Sequence, residues 1–230
     1  MNSDSFRRSE NLVELAQRLR LNKPNPNFEI EDSGAELFPR FETRPTRAAV
    51  LICLFEDENG DLRVILTKRS STMSSHSGEV ALPGGKRDDG DENDAETALR
   101  EAKEEIGLEA SAVEVVTVLE PFHTKRNITV FPVIGIIWDK SAFNPVLNAA
   151  EVESIFDAPL LMFLKDENRR QEEREFMGCK YLLHFFDHKA RNESYVIWAL
   201  TAGILIKAAS VVYQLPPAFE TRMPPFWNRK

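Results

Sequence analysis

The chain of 230 residues is 42% hydrophobic and 29% charged, with a formal net charge of -8. That is enough chain for one well-buried domain, and its acidic balance excludes the basic surface that nonspecific nucleic-acid binding uses. An anionic substrate must be met by local lysines, arginines or metal ions, against the overall repulsion.

The first thirty residues carry Arg7, Arg8, Glu10 and Glu14 but no apolar stretch of the secretory kind, and the final Asn-Arg-Lys is not a peroxisomal address. The acids among those arginines count against an organelle presequence. Cys53 and Cys179 stand far apart, without the spacing of a disulfide framework or a zinc site. A cytoplasmic, reducing location is the expectation.

Leu12, Leu15 and Leu19 recur at helical spacing within 11–22, and prolines then break the pattern. Residues 1–46 are expected to form an N-terminal helix and a mobile leader, with 47–230 as the domain that carries function. Two β-rich runs, RAAVLICLFED (47–57) and LRVILTKRS (62–70), flank Asn59-Gly60, a hairpin signal because that pair accepts positive φ. EVALP (79–83) adds a short strand before two glycines, a helix follows over 94–106, and AVEVVTVLEPF (112–122) and ITVFPVIGIIW (128–138) read as strands. The charged stretch LKDENRRQEERE (164–175) reads as an exposed connection, KYLLHFF and SYVIWAL as strands, and 197–215 as an apolar helix. Lys207 near the middle of that helix, with no second span, argues against a membrane. It lines either the core or a homodimer interface. This element order predicts an α/β fold, an α/β/α sandwich with mixed β-sheets.

The helix over 94–106 carries the chemistry. Ala95, Ala98, Leu99, Ala102 and Ile106 form one apolar stripe, Asn93 or Asp94 is placed to cap the start, and Gly107 suits the left-handed position at the end. Glu101, Glu104 and Glu105 then converge along one edge, where like charges repel by a few tenths of a kcal/mol per pair, on the order of 0.3. A cation among them removes that penalty, and oxygen-only donors suit Mg2+ or Mn2+. Pro83-Gly84-Gly85 is a turn almost without side chains, through which backbone approaches metal or phosphate. Arg100 is placed to orient a carboxylate. The competing reading is a solvated acidic face balanced by Arg100 and Lys103. A calcium loop starting at Asp89 is excluded, since Asp94 stands where glycine is needed and Arg100 where glutamate is needed.

The segment GGKRDDGDENDAETALREAKEEIGL (84–108) resembles the Nudix box, in which a glycine, five residues and an acid precede a helix carrying Arg-Glu and Glu-Glu-x-Gly. Arg100-Glu101, Glu104-Glu105, Gly107 and Leu108 fit. Gly85 to Glu92 has one residue too many, so either Asp91 substitutes for the first acid or the loop carries an insertion. Upstream, LTKRSSTMSSHSGEVALPGGK (66–86) is similar to the segment of the coenzyme A pyrophosphatase branch, in its plant form, with Ser74 and Leu82 departing from the bacterial form. The resemblance implies a catalytic acidic helix in a Nudix fold and Mg2+- or Mn2+-dependent cleavage of coenzyme A and acyl-CoA to 3′,5′-ADP and (acyl-)4′-phosphopantetheine. It assigns Glu101, Glu104 and Glu105 to metal, joined by the Gly85 carbonyl, and gives Arg100 an orienting role. Glu101, Glu104 or Glu151 is the candidate proton acceptor, with Glu151 also readable as a surface residue opening a helix. Lys68, Arg69 and His76 lie in the branch segment, and Arg69 with Lys86 or Arg87 is expected to meet the 3′-phosphate. Lys125 and Arg126 are read as solvated or phosphate-facing. The alternatives are another nucleoside diphosphate derivative as substrate, ADP-ribose or an oxidised nucleotide, and a noncatalytic binding module, which should have lost a box glutamate. No nucleic-acid or membrane partner is expected.

Overall fold

The apolar run after Arg47 becomes the central strand β1 (Thr46–Glu56) of a computed structural model that describes residues 9–21 and 45–228. The expected leader over 22–44 lies outside the described residues. Ala48, Ile52 and Leu54 face one side of β1, and Ala49, Leu51, Cys53 and Phe55 face the other. Both sides are buried, so the strand reads as a continuous apolar run and not as an alternation. β2 (Leu62–Arg69) returns antiparallel after a turn in which Gly60 has φ 81° and Asp57 Oδ1 accepts the N–H groups of Asn59 and Asp61 at 2.9 and 3.0 Å. The hairpin expected at Asn59-Gly60 is therefore present.

β7 (Ile128–Ile136) runs parallel to β1 from Thr46 to Leu54, while β5 (Glu114–Val118) and β6 (Phe122–His123) pair antiparallel with β7. On the far side, β3 (Val80–Ala81) and β8 (Val152–Pro159) pair with β2. β2 meets β1 only at Leu54–Glu56, which leaves the edge of β1 from Ala48 to Val50 open to β4 (Gly84–Lys86). This splaying sets the two glycines into the sheet beside the acidic helix.

That helix, α2 (Asp94–Ile106), lies on one face and sinks Ala98, Ala102 and Ile106 among Leu51, Cys53 and Val133. Ile106 alone is worth about 2 to 5 kcal/mol against alanine at such a site. The opposite face is covered by α1 (Glu10–Leu21) through Leu12, Leu15 and Leu19, by α3 (Ala199–Tyr213), and by a second sheet of β9 (Arg169–Phe176), β10 (Cys179–Ala190) and β11 (Glu193–Trp198). The fold is α/β, with helices on both sides of a mixed sheet. α3 is buried on most of its circumference, with Lys207 reaching out to Glu120 at 3.3 Å, and among the described residues no helix is long and apolar enough to cross a membrane.

Two expectations fail. The stretch 164–175 is no mere connection, because its second half forms edge strand β9, turned into β10 by Met177 and Gly178 at φ 52° and 77°. Apart from Arg169, whose side chain is enclosed, its charges lie exposed or half-exposed on both faces, so it lacks an apolar alternation and relies on main-chain pairing, as a guarded edge strand does. Glu151 does not open a helix but precedes β8, whose Val152, Phe156 and Ala158 are buried at period two.

Candidate active site

The acidic helix is fixed at both ends by its own residues. Asn93 caps it, its Oδ1 accepting the Glu96 N–H at 3.0 Å, while Glu96 Oε2 reaches back to the Glu92 N–H at 2.6 Å. Asp94 accepts two 2.8 Å bonds from Arg47, whose guanidinium lies 4.1 Å from the Phe131 ring centre. Gly107 ends the helix at φ 71°.

Asp91 decides the spacing ambiguity of the loop. It is buried, and its two oxygens accept from Arg100 Nε and Nη2 at 3.0 Å each, from Thr97 Oγ1 at 2.9 Å and from the Asp88 N–H at 3.0 Å. The bond to Arg100 above all holds its carboxyl far below the usual range, against the opposing effect of burial. Glu92 is exposed, and the two bonds described for it are made by its backbone. The extra residue therefore falls after the first acid, between Asp91 and Arg100.

Arg100 joins loop and helix. Besides Asp91, its Nη2 donates to the Lys86 carbonyl at 2.9 Å, and its Nη1 donates to Glu101 at 3.0 Å and Glu104 at 3.2 Å. Glu105 is the most enclosed of the three helix acids, its side chain 4% exposed, with Oε2 accepting the Gly84 N–H at 3.2 Å. Burial pushes its pKa up to about 7, opposed by the Gly84 N–H and Arg69 and aided by the charges of Glu101 and Glu151. Glu101 is raised by burial too, with Arg100 opposing and Glu104 and Glu151 adding to the shift. Gly85 passes so close that a Cβ there would lie 2.4 Å from the Glu101 carboxylate carbon.

Two carboxylates of the helix, those of Glu101 and Glu105, thus stand against the glycine main chain, with Glu104 beside them on Arg100. Among the described residues, no three acidic, His or Cys side chains already stand at ion-holding separation, because Glu101 and Glu104 close on Arg100 and Glu105 on the Gly84 N–H. The donor set is nonetheless oxygen-only and anionic, the chemistry that suits a hard divalent cation. The solvated-face reading fails for Glu101 and Glu105, which are largely enclosed, and holds only for Glu104, whose side chain is 54% exposed.

The remaining sequence candidates divide. Arg69 comes to the cluster, with Nη1 3.8 Å from Glu105, Nη2 3.0 Å from Met73 Sδ, and a buried Nε that has no hydrogen-bond partner. Lys68 points instead to Glu153 on β8. His76 sits at φ 57° on the loop after β2, bonded to Glu79 at 2.9 Å and facing Arg126 at 3.5 Å. The Lys86 carbonyl serves Arg100, and the Lys86 side chain is exposed. Arg87 donates to the Asp91 and Glu92 carbonyls and so orders the loop from within. Lys125 lies over the rings of Phe176 and Phe226 at 4.3 and 4.8 Å. Asn148, which sequence reasoning did not single out, ties the segment carrying Glu151 to the end of α2, and only the fold reveals that contact.

The NUDIX domain family matches residues 45–194. Nudix hydrolase 15, mitochondrial, of Arabidopsis thaliana is 64% identical over 183 residues, covering 80% of this chain, which in turn spans 64% of that protein. Nudix hydrolase 22, chloroplastic, of the same plant is 55% identical over 235 residues, covering 94% of this chain and 78% of that protein. The peroxisomal coenzyme A diphosphatase NUDT7 of Mus musculus is 36% identical over 163 residues, 70% of this chain and 68% of that one. The two plant names overturn the cytoplasmic expectation. Its grounds were weak in principle, because lack of a secretory stretch and unpaired cysteines describe organelle interiors as well as the cytoplasm.

Proposed function

Since this chain belongs to the Nudix hydrolase family, whose members use divalent metal ions, we propose that it hydrolyses the diphosphate of coenzyme A and acyl-CoA, giving 3′,5′-ADP and (acyl-)4′-phosphopantetheine. The observation that carries the reading is the joining of two segments: the branch segment 66–86 delivers Arg69 to the enclosed Glu105 of the acidic helix. A 36% identical relative named as a coenzyme A diphosphatase supports the substrate class. Glu101, Glu104 and Glu105, with the Gly85 carbonyl, hold Mg2+ or Mn2+, and the bound ion supplies charge neutralisation and a more acidic water.

The protein's own groups do the positioning. Asp91 fixes Arg100, and Arg100 aims Glu101 and Glu104. Arg69, a cation whose Nε has no hydrogen-bond partner, meets a substrate phosphate. His76, on the loop after β2, and Lys86, the last residue of β4, are secondary substrate contacts. Lys68 and Arg87 are less suited, being engaged by Glu153 and by loop carbonyls.

A substrate panel tests this: coenzyme A, acetyl-CoA, ADP-ribose and an oxidised nucleoside triphosphate, each with Mg2+ and with Mn2+, products identified by mass. The expected result is highest kcat/KM on the CoA compounds. Preference for ADP-ribose or the triphosphate, with CoA untouched, refutes the substrate assignment.

A further inference from the structure

We propose that Met73 is an oxidation-sensitive positioning residue: its sulfur holds the open edge of the Arg69 guanidinium, and conversion to the sulfoxide closes that edge to substrate. The phosphate role of Arg69 comes from the diphosphatase reading above, on which this assignment rests.

The contact follows from the shape of the loop after β2. The Ser70 carbonyl accepts the Met73 N–H at 3.2 Å, and the hydroxyls of Ser70 and Thr72 share a 2.8 Å bond, so the chain turns back directly after Arg69. The return leg is held by other groups. Gly78 N–H donates to the Arg69 carbonyl at 3.2 Å, Arg69 N–H to the Glu79 carbonyl at 2.9 Å, and Ser77 Oγ to the Ser71 carbonyl at 2.8 Å. None of these bonds uses the Met73 side chain, so the loop keeps its shape without it. The turn brings Met73 Sδ to 3.0 Å from Arg69 Nη2.

Nε and Nη2 of a guanidinium form a planar fork that takes an oxyanion by two parallel bonds. Arg100 offers that edge to Asp91. On Arg69 the same edge is half used, since Nη2 meets a sulfur and the buried Nε has no partner, while Nη1 faces Glu105 at 3.8 Å. A thioether is a weak acceptor. It keeps the fork aimed and yields it to a phosphate, whose oxygens satisfy both donors.

Oxidation reverses that ranking. Met73 is half-buried between exposed neighbours, Ser71 and Thr72 on one side and Ser74 and Ser75 on the other, where a peroxide reaches it. The sulfur lone pair bonds to one peroxide oxygen and the O–O bond breaks with its electron pair on the other. That second oxygen takes the proton the first gives up and leaves as water, so sulfur is oxidised and the peroxide reduced. The sulfoxide is polar, and its oxygen competes with phosphate for Nη2 and Nε. The thiols of a methionine sulfoxide reductase restore the thioether, ending as a disulfide with the oxygen released as water.

The test assays the unaltered protein, Met73→Leu, Met73→Gln and Met177→Leu before and after hydrogen peroxide. Dithiothreitol is then added to reverse cysteine oxidation, and peptide mass spectra read the sulfoxide at each methionine. Met177, 52% exposed on the β9–β10 turn, is the control. In the unaltered protein and in Met177→Leu, oxidation should raise KM for coenzyme A about tenfold, the equivalent of about 1.4 kcal/mol. kcat should stay within about twofold and the melting temperature should hold. Methionine sulfoxide reductase should return KM to its starting value. Met73→Leu should keep its own KM through the treatment, and Met73→Gln, whose amide oxygen imitates the sulfoxide, should show the raised KM without peroxide. Met73 left unoxidised where Met177 is oxidised, KM unmoved when Met73 is fully oxidised, or equal peroxide sensitivity in Met73→Leu each overturns the assignment. If coenzyme A is not cleaved but another diphosphate of the panel is, the substrate assignment has failed and the same KM comparison on that compound decides the role of Met73. If no compound of the panel is cleaved, both have failed.

Discussion

Adding one methyl group at Gly85 should separate folding from catalysis. The new Cβ would stand 2.4 Å from Glu101 Cδ and Oε1 and 2.5 Å from Oε2. Ordinary contact needs about 1 Å more, and the carboxylate can yield that distance because it is the far end of a flexible side chain. Folding should therefore lose less than about 1 kcal/mol. A catalytic carboxylate displaced by about 1 Å costs about 100-fold in turnover, or about 2.7 kcal/mol of barrier. The neighbouring Gly84→Ala makes the contrast, since its Cβ would lie 2.3 Å from the Ala49 carbonyl oxygen and 2.6 Å from Val50 Cα. Those are main-chain atoms of the central strand and cannot swing away, so Gly84→Ala should destabilise by about 1 to 3 kcal/mol or more. Thermal unfolding and steady-state turnover measured on both variants decide the matter. A Gly85→Ala protein with full turnover refutes the idea that the close pass of Gly85 keeps Glu101 in place.

Three further outcomes follow from the same contacts. Asp91→Asn should lower stability by about 2 kcal/mol or more by leaving Arg100 without its main partner, while Glu92→Ala stays within about 0.5 kcal/mol, both read from urea unfolding. His184, buried and beside Arg169, has its pKa lowered by burial first and by that charge second, to about 4. The unfolded imidazole takes its proton near pH 6.5 and the folded one only near 4, so stability should fall as pH is lowered through that window, and His184→Phe should flatten the slope. Gly203→Ala sets a Cβ 2.3 Å from Trp227 Cζ3; it should cost about 1 to 3 kcal/mol in unaltered protein and much less in a Trp227→Ala background, a coupling measurable by a double-mutant cycle.

The elements that bury a face declared themselves in the sequence. β1 and β7 are apolar on both sides, and α2 carries a complete stripe with a cap at each end. β9 did not, because RRQEEREF buries no regular face and owes its state to β10, a partner absent from any local pattern. The Val152, Phe156 and Ala158 alternation of β8 was available, and a helical reading of the preceding acids obscured it. At the site, Glu101, Glu104, Glu105 and Arg100 follow from helical spacing alone. Asp91 over Glu92 follows from burial and from Thr97, which is not a matter of spacing.

The central claim is that carboxylates of α2, loaded with a divalent ion, cleave the diphosphate. Turnover of coenzyme A by Glu104→Gln and Glu105→Gln in Mg2+, beside the unaltered protein with and without EDTA, tests it most directly. The account predicts 3′,5′-ADP from the unaltered protein alone, a loss of about 1,000-fold or more in each variant, no product in EDTA, and native circular dichroism throughout. Undiminished product from either folded variant, or in EDTA, contradicts it.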